Sequence, residues 1–257
     1  QLMANIESEH EAKRAIEIGA DGIGLFRTEY LFLNSKVLPT EDQQYEAYKN
    51  TVETMNGLPV VIRTFDLGGD KISNIPELGR KGESNPFLGY RAIRYCLDNI
   101  EFFATQLRAI LRASAHGDIR ILYPMISGAP ELEQANEYLE IAKDQLRGEG
   151  IPFNENLSSG SMIEIPSAAT ACDTLVAGSS FFSIGSNDLI QYLIAVDRLN
   201  DRVAHLYEPT HPAVIRTLAQ VVKAGREGDR EVSICGEMAG DPVLVPMLIG
   251  LGIESLS

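Results

Sequence analysis

Residues 180–193 read SFFSIGSNDLIQYL. The run from Phe181 to Gly185 has the continuous apolar and aromatic character of a strand buried on both faces. It stops on a glycine, meets Ser186-Asn187-Asp188 at once, and then turns apolar again. An amide and a carboxylate at the end of a buried strand are costly unless they meet something polar beyond it. The fold therefore hinges on whether other buried strands in the chain end the same way.

Apolar runs of this kind recur at 2–6 (LMANI), 22–27 (GIGLFR), 59–65 (PVVIRTF) and 119–126 (IRILYPMI). They continue at 161–166 (SMIEIP), 181–185 (FFSIG), 232–236 (VSICG) and 253–257 (IESLS). Segments of helical period lie between them. In 40–56, Thr40 and Gln43 fit a capping box, and Tyr45, Tyr48, Val52 and Met55 share a face. In 98–116, Asp98 and Glu101 suggest a similar start, ahead of a stripe of Ile100, Phe103, Leu107, Ile110 and Leu111. In 131–147, Leu132, Ala135, Leu139, Ala142 and Leu146 line up, with Gly148 as the stop. His-Pro at 211 and Asp-Pro at 241 open two further helices, 211–224 and 241–249, with proline in the first helical position.

Eight strands alternating with helices predict a parallel sheet, and eight such units predict closure into a (β/α)8 TIM barrel. One barrel of this kind takes up ~250 residues, so residues 1–257 are expected to form a single domain. The eighth run stands at the end of the sequence, and the helix that would follow it is absent from this chain. The connection at 67–97 is longer than ordinary loops, which rarely exceed ~12–15 residues. Its glycines, Phe87, Leu88 and Arg91 suggest an ordered flap facing a ligand.

Composition narrows the function classes. A net charge of −14 argues against nucleic acid or an anionic membrane as partner. No run approaches the ~20 apolar residues of a membrane span, and no basic-then-apolar leader opens the chain, so a cytosolic protein is expected. The three cysteines, Cys96, Cys172 and Cys235, are odd in number and lack CxxC spacing, which fits neither a disulfide framework nor a zinc site.

Barrel chemistry sits where strands end at their C-terminal mouths. The second run ends in Arg27, and the third carries Arg63 followed by Asp66. The fifth carries Glu164, the sixth is followed by Asn187 and Asp188, and the seventh contains Cys235. Glu164 and Asp188, with no histidine beside them, suit a hard cation such as magnesium, unless each simply pairs with Arg27 or Arg63. Arginines gathered with a metal describe a clamp for a small phosphorylated or polycarboxylated molecule, concentrating positive charge at the ligand despite the acidic chain. Cys235 is either a small core residue or a thiol facing the metal that transfers a proton or attacks a substrate. Cys96 and Cys172 fall in helical patterns, and none of His10, His116, His205 or His211 lies near a strand end.

These strand ends carry a family resemblance across essentially the whole chain. It rests on GIGLFRTEYLF at 22–32, VIRTFDLGGDK at 61–71, NPFLGYRAIR at 85–94 preceded by Ser84, and LRAILRAS at 107–114. It continues through MIEIPSAA at 162–169, FFSIGSNDLIQYLIAVDR at 181–198 and ICGEMAGD at 234–241. The chain resembles the C-terminal, phosphoenolpyruvate-binding barrel of the enzyme I family of the bacterial sugar phosphotransferase system. Pyruvate phosphate dikinases and phosphoenolpyruvate synthases share the barrel and several blocks, and metal-dependent pyruvate-family lyases share the Glu–Asp pair.

The resemblance implies that Glu164 and Asp188 bind magnesium. It implies that Arg27, Arg63, Asn187 and Arg198 hold the phosphate and carboxylate of phosphoenolpyruvate, and that Arg91 reaches the phosphoryl group. Cys235 would protonate the enolpyruvate carbon to give pyruvate. The family's acceptor histidine follows a Gly-rich segment and precedes a threonine on a separate N-terminal domain, and no such signature occurs here. The implied partners are that domain, through it the phosphocarrier protein, and a second copy of the chain in a homodimer.

Overall fold

Eight parallel strands follow one another around a single sheet in chain order: β1 (Ala4–Ile6), β2 (Ile23–Arg27), β3 (Val60–Arg63), β4 (Ile119–Tyr123), β5 (Ser158–Ile163), β6 (Phe181–Gly185), β7 (Glu231–Cys235) and β8 (Ser255–Leu256). The computed structural model describes residues 1–33, 37–67 and 85–257. A parallel bridge between Leu2 and Leu256 joins the last strand to the first, with Met3 N donating to Leu256 O at 2.8 Å and Leu256 N to Gln1 O at 3.0 Å. The sheet is thus a closed barrel, as its eight alternations predict, with no strand edge left over.

Strand side chains alternate between two cores. On β3, Val60 and Ile62 face outward into the layer between sheet and helices, whereas Val61 points into the barrel. Leu25, Val61, Leu122, Met162, Phe181 and Cys235 fill the lumen as a separate apolar cluster. Near the N-terminal ends of the strands Arg120 of β4 crosses the lumen to Glu231 of β7 at 2.8 Å. Gly160 is small for a reason: a Cβ there would come within 2.7 Å of both the ring and the backbone oxygen of Phe181.

Helices cover the outside. Glu41–Met55 carries the expected capping box, with Gln43 N donating to Thr40 Oγ1 and Thr40 N to Gln43 Oε1. Phe103, Leu107 and Ile110 on Ile100–Ala113, and Leu132, Ala135 and Leu146 on Ala129–Glu149, are fully or almost fully buried. Pro212–Glu227 starts on its proline, as expected, with His211 Nδ1 accepting from Ala213 N at 3.1 Å. Cys96 and Cys172 are buried in helical turns on this outer layer. No helix among the described residues is long and apolar enough to cross a membrane.

Several boundaries differ from the sequence reading. β5 begins at Ser158, three residues before the apolar run, because Ser158, Ser159 and Gly160 pair with Arg120, Ile121 and Leu122 of β4, and Pro166 opens the next helix. Asp98 closes the helix Ala92–Asp98 and does not cap the following one, which starts from Asn99. Gly148 lies within Ala129–Glu149, and Gly150, at φ 70°, ends it. Asp241 does not open a helix at Pro242. Its carboxylate accepts from Val243 N in a turn, and the helix begins at Val245 with Pro246 in its first turn. Within the long connection, Pro86–Leu88 forms a short 3-10 turn and Ala92–Asp98 a helix that buries Ala92, Ile93 and Cys96. The expected flap's stretch 68–84 lies outside the described residues.

Candidate active site

At the C-terminal mouth of the barrel lies a cavity of about 950 Å³. Every side chain singled out at the strand ends lines it: Arg27, Arg63, Glu164, Asn187, Asp188 and Cys235, together with Arg91 and Arg198 from longer segments. β2 and β3 place Arg27 and Arg63 on their last residues. Glu164 stands one residue past β5, and Asn187 and Asp188 occupy the first turn of the helix Ser186–Leu193, which starts as β6 stops. No histidine lines the cavity among the described residues.

The arginines are held by carboxylates. Arg63 is clasped on both sides, by Glu29 at 2.9 Å and Asp66 at 2.9 Å. Arg91 reaches the other oxygen of Asp66 through Nη2 at 2.7 Å and Nε at 3.0 Å, and meets Asp188 at 3.3 Å. Arg198 meets the second Asp188 oxygen at 3.4 Å, and the more exposed Arg27 pairs with Glu7 at 3.0 Å. Burial opposes the charge on Arg63 and Arg91, but these neighbouring carboxylates outweigh it and hold both guanidiniums above the ordinary arginine range. Arg63 Nε and Arg198 Nη1 are buried without a hydrogen-bond partner among the described residues, so donor capacity remains.

The lining as a whole is not net positive, contrary to the sequence reading. Among the described residues, four arginines face the carboxylates of Glu7, Glu29, Asp66, Glu164, Asp188 and Glu237. Glu29, two positions after Arg27, is not marked out by the strand pattern, and together with Asp66 it folds back onto Arg63. Burial is the main cause of a raised Glu29 carboxyl, against the pull of Arg63. Burial, reinforced by Asp188 and Asp66, pushes Glu164 up to about 8 while Arg63 and Arg91 pull the other way.

This electrostatic shortfall is what a divalent cation would relieve. Glu164 and Asp188 are hard oxygen donors, near enough for Asp188 to disfavour ionisation of Glu164. Among the described residues no set of three acidic, cysteine or histidine side chains surrounds one point. A protein share of two carboxylates fits magnesium, which keeps waters and takes substrate oxygens for the rest of its shell.

Backbone strain gathers around the same site. Met125 sits at φ 59°, and its N–H donates to Glu164 Oε1 at 2.7 Å. Ala92, directly after Arg91, has φ 53°, and Ala195, three residues before Arg198, has φ 55°. Such left-handed conformations at non-glycine residues cost on the order of 1–3 kcal/mol and persist where surrounding contacts impose them.

Cys235 is fully buried at the floor of the cavity, its Sγ 3.5 Å from Ile184 O and 3.9 Å from the Ser183 hydroxyl. Burial pushes its thiol up to about 11, against the pull of Arg63, so it carries its proton at neutral pH. Asn187 is fixed from two sides: Glu237 N donates to its Oδ1 at 3.1 Å and the Tyr207 hydroxyl to its carbonyl at 3.3 Å.

Comparison with known proteins gives the family. The profile of the PEP-utilising enzyme, PEP-binding domain family matches residues 1–257. The chain belongs to this family. Over its full length it is 48% identical to a phosphoenolpyruvate-protein phosphotransferase from Geobacillus stearothermophilus and 46% identical to one from Bacillus subtilis. It spans 44% and 45% of the length of those two relatives. Among solved structures, an HpcH/HpaI aldolase/citrate lyase family protein from Burkholderia cenocepacia superimposes with a TM-score of 0.61, covering 100% of this chain and 87% of its own at 13% identity. An HpcH/HpaI aldolase from Desulfitobacterium hafniense gives 0.55, covering 99% and 84%, also at 13% identity. At that identity the likeness speaks for the barrel alone.

Proposed function

We propose that the cavity binds phosphoenolpyruvate with a magnesium ion and is the catalytic barrel of a phosphoenolpyruvate-protein phosphotransferase. In that role it passes the phosphoryl group to a histidine on another domain of a longer parent enzyme and releases pyruvate. The observation that carries the reading is the gathering of Arg27, Arg63, Arg91, Glu164, Asn187, Asp188, Arg198 and Cys235 around one cavity. The relatives named above supply the reaction.

In this reading Glu164 and Asp188 would hold the metal, which would supply positive charge against the phosphate. Arg27, Arg63, Arg198 and the Asn187 amide grip the phosphate and carboxylate, and Arg91 faces the transferring group. Phosphoryl transfer passes through a loose, charge-dispersed state, so fixed guanidiniums supply most of what the protein can offer. As the P–O bond breaks, the enolate of pyruvate is left. The Cys235 thiol gives its proton to the terminal carbon and regains one from solvent after pyruvate departs.

Calorimetric titration of the chain with phosphoenolpyruvate, with and without magnesium, tests the reading, and tighter binding is expected when magnesium is present. The isolated chain is expected to acquire no stable label from 32P-phosphoenolpyruvate. Adding a domain that carries the acceptor histidine should start pyruvate release. Retro-aldol cleavage of a hydroxy acid without any phosphoenolpyruvate binding would point to a lyase instead. A homodimer and a cytosolic setting accompany the proposal. Sedimentation that shows only monomer at high concentration with both ligands would remove the dimer.

A further inference from the structure

The helix Ser186–Leu193 places Tyr192 one turn beyond Asp188, on the same face. Its half-buried hydroxyl lies 2.5 Å from the Phe87 carbonyl and 3.3 Å from Arg91 Nη1. A hydroxyl has one proton to donate and lone pairs to accept with, so the proton goes to the carbonyl and the guanidinium donates back. The other polar edge of Arg91 is committed to Asp66 and Asp188.

We propose that Tyr192 is a positioning residue for Arg91, tying the arginine and the turn Pro86–Leu88 to the helix that carries Asn187 and Asp188. A third carboxylate at this place would quench the arginine further, whereas a neutral hydroxyl fixes its direction and leaves its charge for a ligand. The strained Ala92 that follows Arg91 needs such an outside restraint. Without the hydroxyl, the Phe87 carbonyl and Arg91 Nη1 each lose a partner, while the ring's apolar packing stays in place. The functional half of this inference rests on the phosphoenolpyruvate reading above; the structural half does not.

The test is Tyr192→Phe, with a retained cooperative unfolding transition, its midpoint lowered by no more than a few degrees, as the control for folding. In the ligand-free chain, exchange of the Arg91 Nη1 hydrogens with water, followed by 15N nuclear magnetic resonance, is expected to quicken roughly tenfold. An unchanged rate overturns the tie, whatever the ligand. With magnesium, phosphoenolpyruvate and an acceptor-histidine domain, kcat for pyruvate release is expected to fall roughly tenfold while KM stays within about threefold. Adding the substitution to Arg91→Ala should cause no further loss, because the tyrosine acts through the arginine. Additive losses in the double variant overturn the positioning role. If the unaltered chain binds no phosphoenolpyruvate, the functional reading falls, and the exchange measurement still decides the tie.

Discussion

Arg91 and Asp188 meet at 3.3 Å, and Arg198 meets the opposite oxygen of the same carboxylate at 3.4 Å. Both oxygens of a proposed metal ligand are therefore occupied by the arginines proposed to hold the substrate. A metal arriving alone must displace both guanidiniums from Asp188, Arg91 keeping Asp66, and each is left short of an anion. Phosphoenolpyruvate offers them one.

Magnesium and phosphoenolpyruvate are accordingly expected to tighten each other's binding by the same factor, on the order of tenfold or more. Titrating each in the presence and absence of the other measures this factor directly. Asp188→Asn should weaken magnesium binding by at least about tenfold. Independent binding of the two ligands would contradict the shared role of Asp188.

Glu164 makes stability depend on pH in an unusual direction. Its folded-state value of about 8 lies above the ordinary carboxylate range, so the folded chain binds more protons than the unfolded one between those limits. Stability of the metal-free chain should therefore fall as pH rises from about 5 to about 8, as the buried carboxylate is forced to ionise. Glu164→Gln should flatten much of that slope, leaving the share contributed by the raised Glu29. Urea denaturation at a series of pH values, without metal, checks it, and the same slope in the Glu164→Gln variant would assign the effect elsewhere.

Cys235 is buried, and its thiol stays protonated up to about pH 11. Without ligands it should react with iodoacetamide far more slowly at pH 8 than a free thiol, since the thiolate is the reactive form. Cys235→Ala should leave phosphoenolpyruvate binding within about threefold and slow pyruvate release by about 10²–10⁴-fold, the usual worth of a general acid. Calorimetry and a coupled pyruvate assay separate the two. Undiminished pyruvate release would return the residue to the core.

Gly185 offers a purely steric probe. Its φ of −81° suits any residue, yet an added Cβ would come within 2.6 Å of Glu164 Oε2 and 2.9 Å of Glu164 Cβ. Gly185→Ala should push Glu164 aside and reduce magnesium-dependent binding, with a stability cost of about 1–3 kcal/mol from overpacking. Thermal unfolding and ligand titration of the same sample tell the two effects apart. Full binding with unchanged stability would mean that Glu164 has room to move.

Thr40→Ala probes the outer layer away from the cavity. It removes the side-chain acceptor for Gln43 N and should cost about 1 kcal/mol. Ligand binding should be unaffected, and a denaturation curve beside a binding isotherm shows whether the helix layer and the mouth are independent.

The order of strands, the closed barrel and the strand ends that line the cavity were legible in the sequence, because buried parallel strands leave continuous apolar runs and a polar residue at their end breaks that pattern visibly. Arg27, Arg63, Glu164, Asn187, Asp188 and Cys235 all announce themselves in this way. Tertiary structure alone decided how those groups pair. Glu29 and Asp66 fold back onto Arg63, Arg91 and Arg198 share Asp188, and Tyr192 hides among apolar neighbours on its helix. Spacing along a chain fixes which face a side chain takes, but the distance between charges on different strands follows from closure of the sheet. The carboxylate excess at the mouth, and the burial that raises Glu164, arise only when the ends of β1, β2, β3, β5, β6 and β7 converge on one cavity.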